Sequence, residues 1–195
     1  MKHLVDIADV RAGFPFRGRV APVPEGTLAV VQMKDVDSLC GLDPGSCIRI
    51  LDEGARHGRH KLELGDVLMQ SRGSKFPAVV IDKPLHGIAA LGLFVIRPRV
   101  DVLPEYLGWI LNQPRTRELL RGIARGTYVP FLSRTDLEAL SVPVPPKDQQ
   151  SRVVQVDILR RREKALSHQL EKQLDQYRDA VVWKAAVSTH RKRRK

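Results

Sequence analysis

The chain is poor in the residues that usually carry chemistry or cross-linking. Its 195 residues include two cysteines, Cys40 and Cys47, at a spacing that makes no CxxC motif and without a histidine pair to complete a zinc set. Both read as free, partly buried thiols. The longest apolar stretch, residues 87–96, is about half the roughly 20 residues that a membrane span requires. Asp6 and Asp9 interrupt the apolar start that a secretion signal would need. These absences point to a cytoplasmic chain with no membrane partner. No GxSxG, HExxH, phosphate-binding GxxxxGK[ST] or zinc-deaminase HxE…PCxxC signature occurs, and there is no glycine-rich methyl-donor loop with an Asn/Asp-Pro-Pro-aromatic motif. Beyond Pro146 there is neither glycine nor proline.

Positive charge is abundant. Lysine and arginine number 33 against 22 acidic residues, a formal net charge of +11 and a pI near 10.1. Such a balance favours a polyanion, by attraction and by counterion release from phosphates. Nucleic acid is the first candidate, a membrane surface the second, and a soluble domain with a basic end the plain alternative. The excess is uneven. Residues 1–146 carry 19 basic and 16 acidic residues, whereas residues 147–195 carry 14 and 6. Much of the surplus is Arg191-Lys-Arg-Arg-Lys195, which reads as a disordered tail, either phosphate-binding or merely solubilising.

The hydrophobic fraction of 43% supports a real core. Short aliphatic runs bounded by Gly, Pro or Asp predict strands at 28–32, 47–51, 66–70, 78–81 and 92–96. A helix is expected over 103–124, with Pro104 in its first turn, a kink or break at Pro114, and Leu107, Ile110, Leu111, Leu119, Leu120 and Ile123 on its apolar face. Ser133-Arg-Thr-Asp136 predicts a capped short helix. From Asp148 to about Val187 the pattern is helical. Val156, Leu159, Leu166, Leu170, Leu174, Tyr177 and Val181 recur at near-heptad spacing, a stripe suited to another helix. Such a helix would be on the order of 60 Å long, more than the preceding domain could cover, so the stripe asks for a partner or folds back on its own domain. The expected architecture is α+β: a mainly-β domain over 1–142, a long coiled-coil-type helix over 143–188 and the basic tail over 189–195.

Three loops concentrate candidate contacts. Ser71-Arg-Gly-Ser-Lys75 combines cations, hydroxyls and a flexible backbone. Arginine bonds guanine in two-pronged fashion, whereas Lys and Ser mostly position on phosphates; a solvated turn is the plain alternative. Arg56-His-Gly-Arg-His-Lys61 is a second basic loop, whose two histidines lack the further ligands a metal needs. In Gly126-Thr-Tyr-Val-Pro-Phe-Leu-Ser133, near the cations Arg121 and Arg125, Tyr128 and Phe131 either stack on DNA or close the core. The candidate DNA contacts are Arg17, Arg19, Arg56, Arg59, Arg72, Ser74, Lys75, Arg125, Thr127 and Tyr128. Arg72, Lys75, Arg125 and Tyr128 are expected on one concave basic face.

In order along the chain, several of these segments resemble the target-recognition domains of type I restriction-modification specificity subunits. They are Val5-Asp-Ile-Ala-Asp-Val-Arg-Ala-Gly13, Gly65-Asp-Val-Leu68 with Arg72-Gly-Ser74, Leu93-Phe-Val-Ile-Arg-Pro98 and Leu103-Pro-Glu-Tyr-Leu-Gly-Trp-Ile-Leu-Asn112. The closing segment resembles them most: Gly126 to Ser133, Asp136-Leu-Glu-Ala-Leu140, Val142-Pro-Val-Pro-Pro146 and Gln149. One departure is Pro146-Lys-Asp-Gln-Gln150, where many relatives carry an apolar or acidic residue before Gln. A full subunit of that family has two recognition domains and two helices; this sequence has one of each. The resemblance implies a non-catalytic reader of a bipartite site in double-stranded DNA. Its partners would be an adenine-N6 methyltransferase subunit, which uses S-adenosylmethionine, and a restriction subunit. No cofactor is expected in this chain. The unpaired stripe adds a homodimer through the last helix. A small nuclease or modification enzyme with an unmarked site, or a scaffold that does not bind DNA, are the alternatives.

Overall fold

The computed structural model describes residues 1–37 and 41–192, with side chains as far as Lys184. Cys40 and the end of the basic tail lie outside the described residues. In chain order the elements are β1 (Lys2–His3), α1 (Leu4–Ile7), β2 (Ala8–Ala12), β3 (Leu28–Val31), β4 (Ile48–Ile50), α2 (Ala55–Gly58), β5 (Val67–Gln70), β6 (Ala78–Val80), β7 (Gly87–Ala89), β8 (Leu93–Pro98), α3 (Pro104–Leu111), α4 (Pro114–Ile123), α5 (Arg134–Glu138), β9 (Ser141–Val142) and α6 (Lys147–Lys192). The fold is α+β, with several sheets and a long C-terminal helix. All five strands expected from the sequence form, with ends shifted by up to two residues.

Two sheets face each other across a shared apolar layer. The larger has the order β2-β8-β5-β6 and is antiparallel throughout; the smaller, β4-β3-β7, pairs β3 with β7 in parallel. Val67, Met69, Phe94 and Ile96 point from the larger sheet towards the helices, where they meet Leu4, Leu107, Leu111, Leu120 and Leu137. Leu68, Val79, Leu93 and Val95 point the other way, onto Ala29 and Val31 of the smaller sheet. The outer face of that sheet, Leu28, Val30 and Ile88, is covered by Phe14, Phe16 and Val20. Burial on both faces explains why these strands read as continuous apolar runs without alternation.

Backbone constraints fix the turns that bear on function. Gly65 adopts φ +89°, and a Cβ there would lie 3.1 Å from the Pro104 ring. It sets up Asp66, whose buried carboxylate accepts from the Glu63 amide and joins Arg97 and Arg11 across neighbouring strands. The helix expected over 103–124 is split at Pro114 into α3 and α4. The split turns Leu119 and Ile123 outward, contrary to the single continuous apolar face read from the sequence. Ser133 and Asp136 form the expected capping box at α5. Cys47 is a buried free thiol; burial pushes its pKa up to about 11, so it is protonated and inert at neutral pH.

One compact unit spans Met1–Val154 and a second spans Gln155–Lys195. The first therefore includes the opening turns of α6. Gln150, fully buried, anchors them: its Oε1 accepts from the Leu103 amide at 2.8 Å, and its Nε2 donates to the Asp101 and Pro145 carbonyls at 2.9 and 2.8 Å. In the second unit Val156, Leu159, Leu166, Leu170, Leu174, Tyr177 and Val181 are all exposed, between 43% and 69% of their surface. No described helix is long and apolar enough to cross a membrane.

Candidate nucleic-acid interface

The loop after β5 is held from below. Phe76 is buried and adopts φ +43°, a region that side chains larger than glycine rarely occupy. With Phe76 driven into the core, Ser74 and Lys75 are left exposed beside it. The other end of the loop is tied to the turn between β7 and β8, where the Ser71 amide and hydroxyl both donate to the Gly92 carbonyl.

A second loop, distant in sequence, is laced to the first. Arg125 and Phe131 exchange backbone hydrogen bonds at 2.9 and 2.8 Å, closing a turn whose Gly126 adopts φ +93°. Gly73 then donates to the Pro130 carbonyl at 2.8 Å, and Leu132 to the Ser71 carbonyl at 2.9 Å. Arg72, Phe131 and Arg125 thus run side by side as a short ladder. At the tip, Tyr128 is 99% exposed, with Thr127 and Val129 exposed beside it; Phe131 is partly exposed. The core-closing role considered for Tyr128 is thereby excluded. Arg125 keeps most of its side chain in solvent while pairing with Asp136 at 3.0 Å. The Ser133 hydroxyl, then Arg125, hold the Asp136 carboxyl below its ordinary range.

Two open clefts flank the turn formed by Met33–Asp35. One, of about 620 Å³, is lined by Ser74 and Lys75 together with Arg117 and Arg121 of α4. The other, of about 480 Å³, is lined by Phe16, Arg19, Met33, Lys34 and Leu91. Arg17 and Arg19 are both exposed on the segment between β2 and β3. This part of the fold gathers Arg19, Lys34, Lys75, Arg117 and Arg121 around one turn. These five cations stand against the carboxylates of Asp35 and Asp37, so the local field favours a polyanion.

Arg56 and Arg59 belong to a different arrangement. Arg56 pairs with Glu53 at 2.6 Å and lies over the Phe14 ring, 5.5 Å from its centroid. Arg59 donates to His60, and its carbonyl accepts from Arg11. Next to them Asp52 accepts from Lys61 at 2.8 Å and contacts His57 and His86. His57 is buried, and its Nδ1 lies 3.1 Å from the Glu53 amide and 3.3 Å from Asp52 Oδ1. Among the described residues no group of three His, Cys, Asp or Glu could hold a metal ion.

Lys34 and Arg117, which the fold places in these two clefts, are not among the candidate contacts read from the sequence. The available signal for the latter was Arg117 and Arg121 four apart on the polar face of α4, next to a proline that starts the helix.

Comparison with solved structures gives the architecture a precedent. The HsdS subunit from Thermoanaerobacter tengcongensis superposes with a TM-score of 0.60 at 20% identity, over 85% of this chain and 38% of that one. The fold is that of a type I restriction-modification S subunit. A structure described as the basis of complex assembly and conformational transition of the type I R-M system matches with a TM-score of 0.59 at 21% identity, over 84% of this chain and 38% of its own. The type I S subunit from M. genitalium gives 0.54 at 12% identity, covering 80% and 37%. The chain therefore spans less than two-fifths of the length of each of these three chains. No protein-family model matches the sequence, and no curated protein is similar to it.

Proposed function

We infer that this chain is the DNA-sequence-recognition component of a type I restriction-modification system. It binds double-stranded DNA and is not itself catalytic. An adenine-N6 methyltransferase subunit, which brings S-adenosylmethionine, and a restriction subunit assemble on it. The observation that carries this reading is the ladder joining the Arg72 loop to the Gly126–Phe131 turn. It rigidly displays an exposed Arg, Lys and Tyr beside two cationic clefts, on a fold shared with S subunits. Arg72 and Tyr128 read bases, by bidentate bonding and by stacking or apolar contact; Ser74, Lys75, Arg125, Thr127, Arg17 and Arg19 hold the backbone. Arg56 and Arg59 are weaker contacts, because each is engaged within its own loop.

Two copies pair through the exposed stripe of α6, each bringing one reader. A twofold pair buries the same patch on both copies and reads a bipartite inverted repeat. Reconstitution tests the assignment. A cognate adenine methyltransferase should methylate one DNA sequence only when this chain is added. Methylation at the same sites without the chain would remove the recognition role.

A further inference from the structure

The cleft beside the Ser74–Lys75 loop has a lining unlike that of the loop tips. Two of its polar residues are occupied in holding the fold. Asn112 donates through Nδ2 to the Ala78 and Gly108 carbonyls and accepts at Oδ1 from the Ala78 amide and from Arg117 Nη2. Gln70 Nε2 donates to the Met33 and Val36 carbonyls. The rest of the polar lining is the Ser74 hydroxyl, the Lys75 ammonium, the guanidiniums of Arg117 and Arg121, and one carboxylate, Asp37. Arg117 Nε is buried without a hydrogen-bond partner, a costly state for a charged donor. Burial, then the neighbouring Arg121, lower the Arg117 pKa, while Asp37 on the cleft wall raises it.

The set is predominantly cationic, three cations against the one carboxylate of Asp37. Lys and Arg donate and accept nothing. A guanine edge also offers acceptors but carries no charge, whereas a phosphate joins acceptors to a full negative charge, the better match for three clustered cations. Resting on the DNA-reading function above, we propose that Lys75, Arg117 and Arg121 form a clamp that seats one backbone phosphodiester of the bound duplex. Lys75 is two residues beyond Gly73, which is bonded to the Tyr128 turn, so a phosphate fixed here sets the register of that tip on the bases. The clamp contributes affinity and register, not sequence preference.

The test uses the full chain and a duplex recovered by selection from random DNA. The pair Lys75→Gln and Arg121→Gln removes two exposed cations and leaves the Arg117–Asn112 contact intact. The logarithmic salt dependence of binding should become shallower by about one unit, with the preferred sequence unchanged. A single neutral methylphosphonate linkage, scanned along each strand, should at one position weaken wild-type binding about tenfold, the size of a lost charge-assisted hydrogen bond. The same linkage should have little effect on the double variant. If the pair unfolds the domain, Lys75→Gln alone carries the test, since it alters only a loop side chain. An unchanged slope, or no methylphosphonate position whose effect depends on these residues, overturns the clamp. So does an altered sequence preference, which would make the cleft a base reader. If the wild-type chain binds no duplex at all, the DNA-reading function itself fails, and that outcome is distinct from the other two.

Discussion

Arg97 grips Asp66 with two parallel bonds, Nε to Oδ1 at 2.7 Å and Nη2 to Oδ2 at 2.9 Å, and the Asp66 side chain is wholly buried. Arg11 reaches the same carboxylate at 3.4 Å, and Glu63 engages the far side of Arg97. Asp66 thus joins the start of β5 to β8 and β2, at the other end of β5 from the loop that carries Arg72. Removing one member of a buried pair strands the other charge. Asp66→Ala should therefore cost about 3–5 kcal/mol in urea unfolding. An unchanged midpoint would show that the carboxylate is not a keystone of the sheet.

Asp52 supplies a pH signature. Lys61, then His57 and the Gly54 amide, hold its carboxyl down to about 2, from an ordinary 3.8 and against partial desolvation. A depressed carboxyl pKa stabilises the fold above the unfolded value, and this contribution is lost as pH falls through the folded value. The loss should fall between about pH 4 and pH 2. Asp52→Asn should flatten that part of the stability profile and lower the plateau above it. Wild-type and variant curves that run parallel across this window would contradict the assignment.

The Tyr128 tip separates function from stability. Its ring touches almost nothing in the fold, so Tyr128→Ala should leave the melting midpoint within error. It should weaken binding to the preferred duplex by about 1–3 kcal/mol, the range for a stacked or base-contacting side chain. Arg72→Ala should have a similar effect and also relax preference at one base position. Equal affinity for preferred and random duplexes in both variants and in the wild type would show that these residues read nothing.

The stripe on α6 predicts self-association. Leu166→Glu with Leu170→Glu places charge in the middle of the exposed apolar row. Light scattering should find the wild type as a dimer at concentrations on the order of tens of micromolar, and the variant as a monomer with its first compact unit still folded. A monomeric wild type would remove the homodimer and with it the inverted repeat.

The fold was more readable in the sequence than the site. Gly, Pro and Asp bounded five of the strands, and Pro114 marked the break between α3 and α4. β2 is not among the expected strands although Ala8, Asp9, Val10 and Arg11 alternate as a strand should, because its two buried positions make too short an apolar signal. β7 was hidden inside the apolar run ending at Ile96, since the turn at 90–92 carries Ala90 and Leu91 and looks no more polar than its flanks. Leu119 and Ile123 were placed inward because a helical face continues in register only if the helix does. For the site, both loops drew attention through their own residues. Their union did not: the bonds from Gly73 to Pro130 and from Leu132 to Ser71 span more than fifty residues and involve only backbone atoms, which carry no side-chain signature. The cleft cations Lys75 and Arg117 are likewise brought together by the fold alone.

Sequence recognition by the Arg72–Tyr128 region is the centre of this account. Its most direct test is to sequence the random duplex DNA retained by the purified chain, alone and with a cognate methyltransferase subunit, at fixed salt. The account predicts enrichment of one short motif, present as two inverted copies across a fixed gap when the chain is paired through α6, and lost in Arg72→Ala. A retained pool with the same sequence composition as the input, under both conditions, would contradict it.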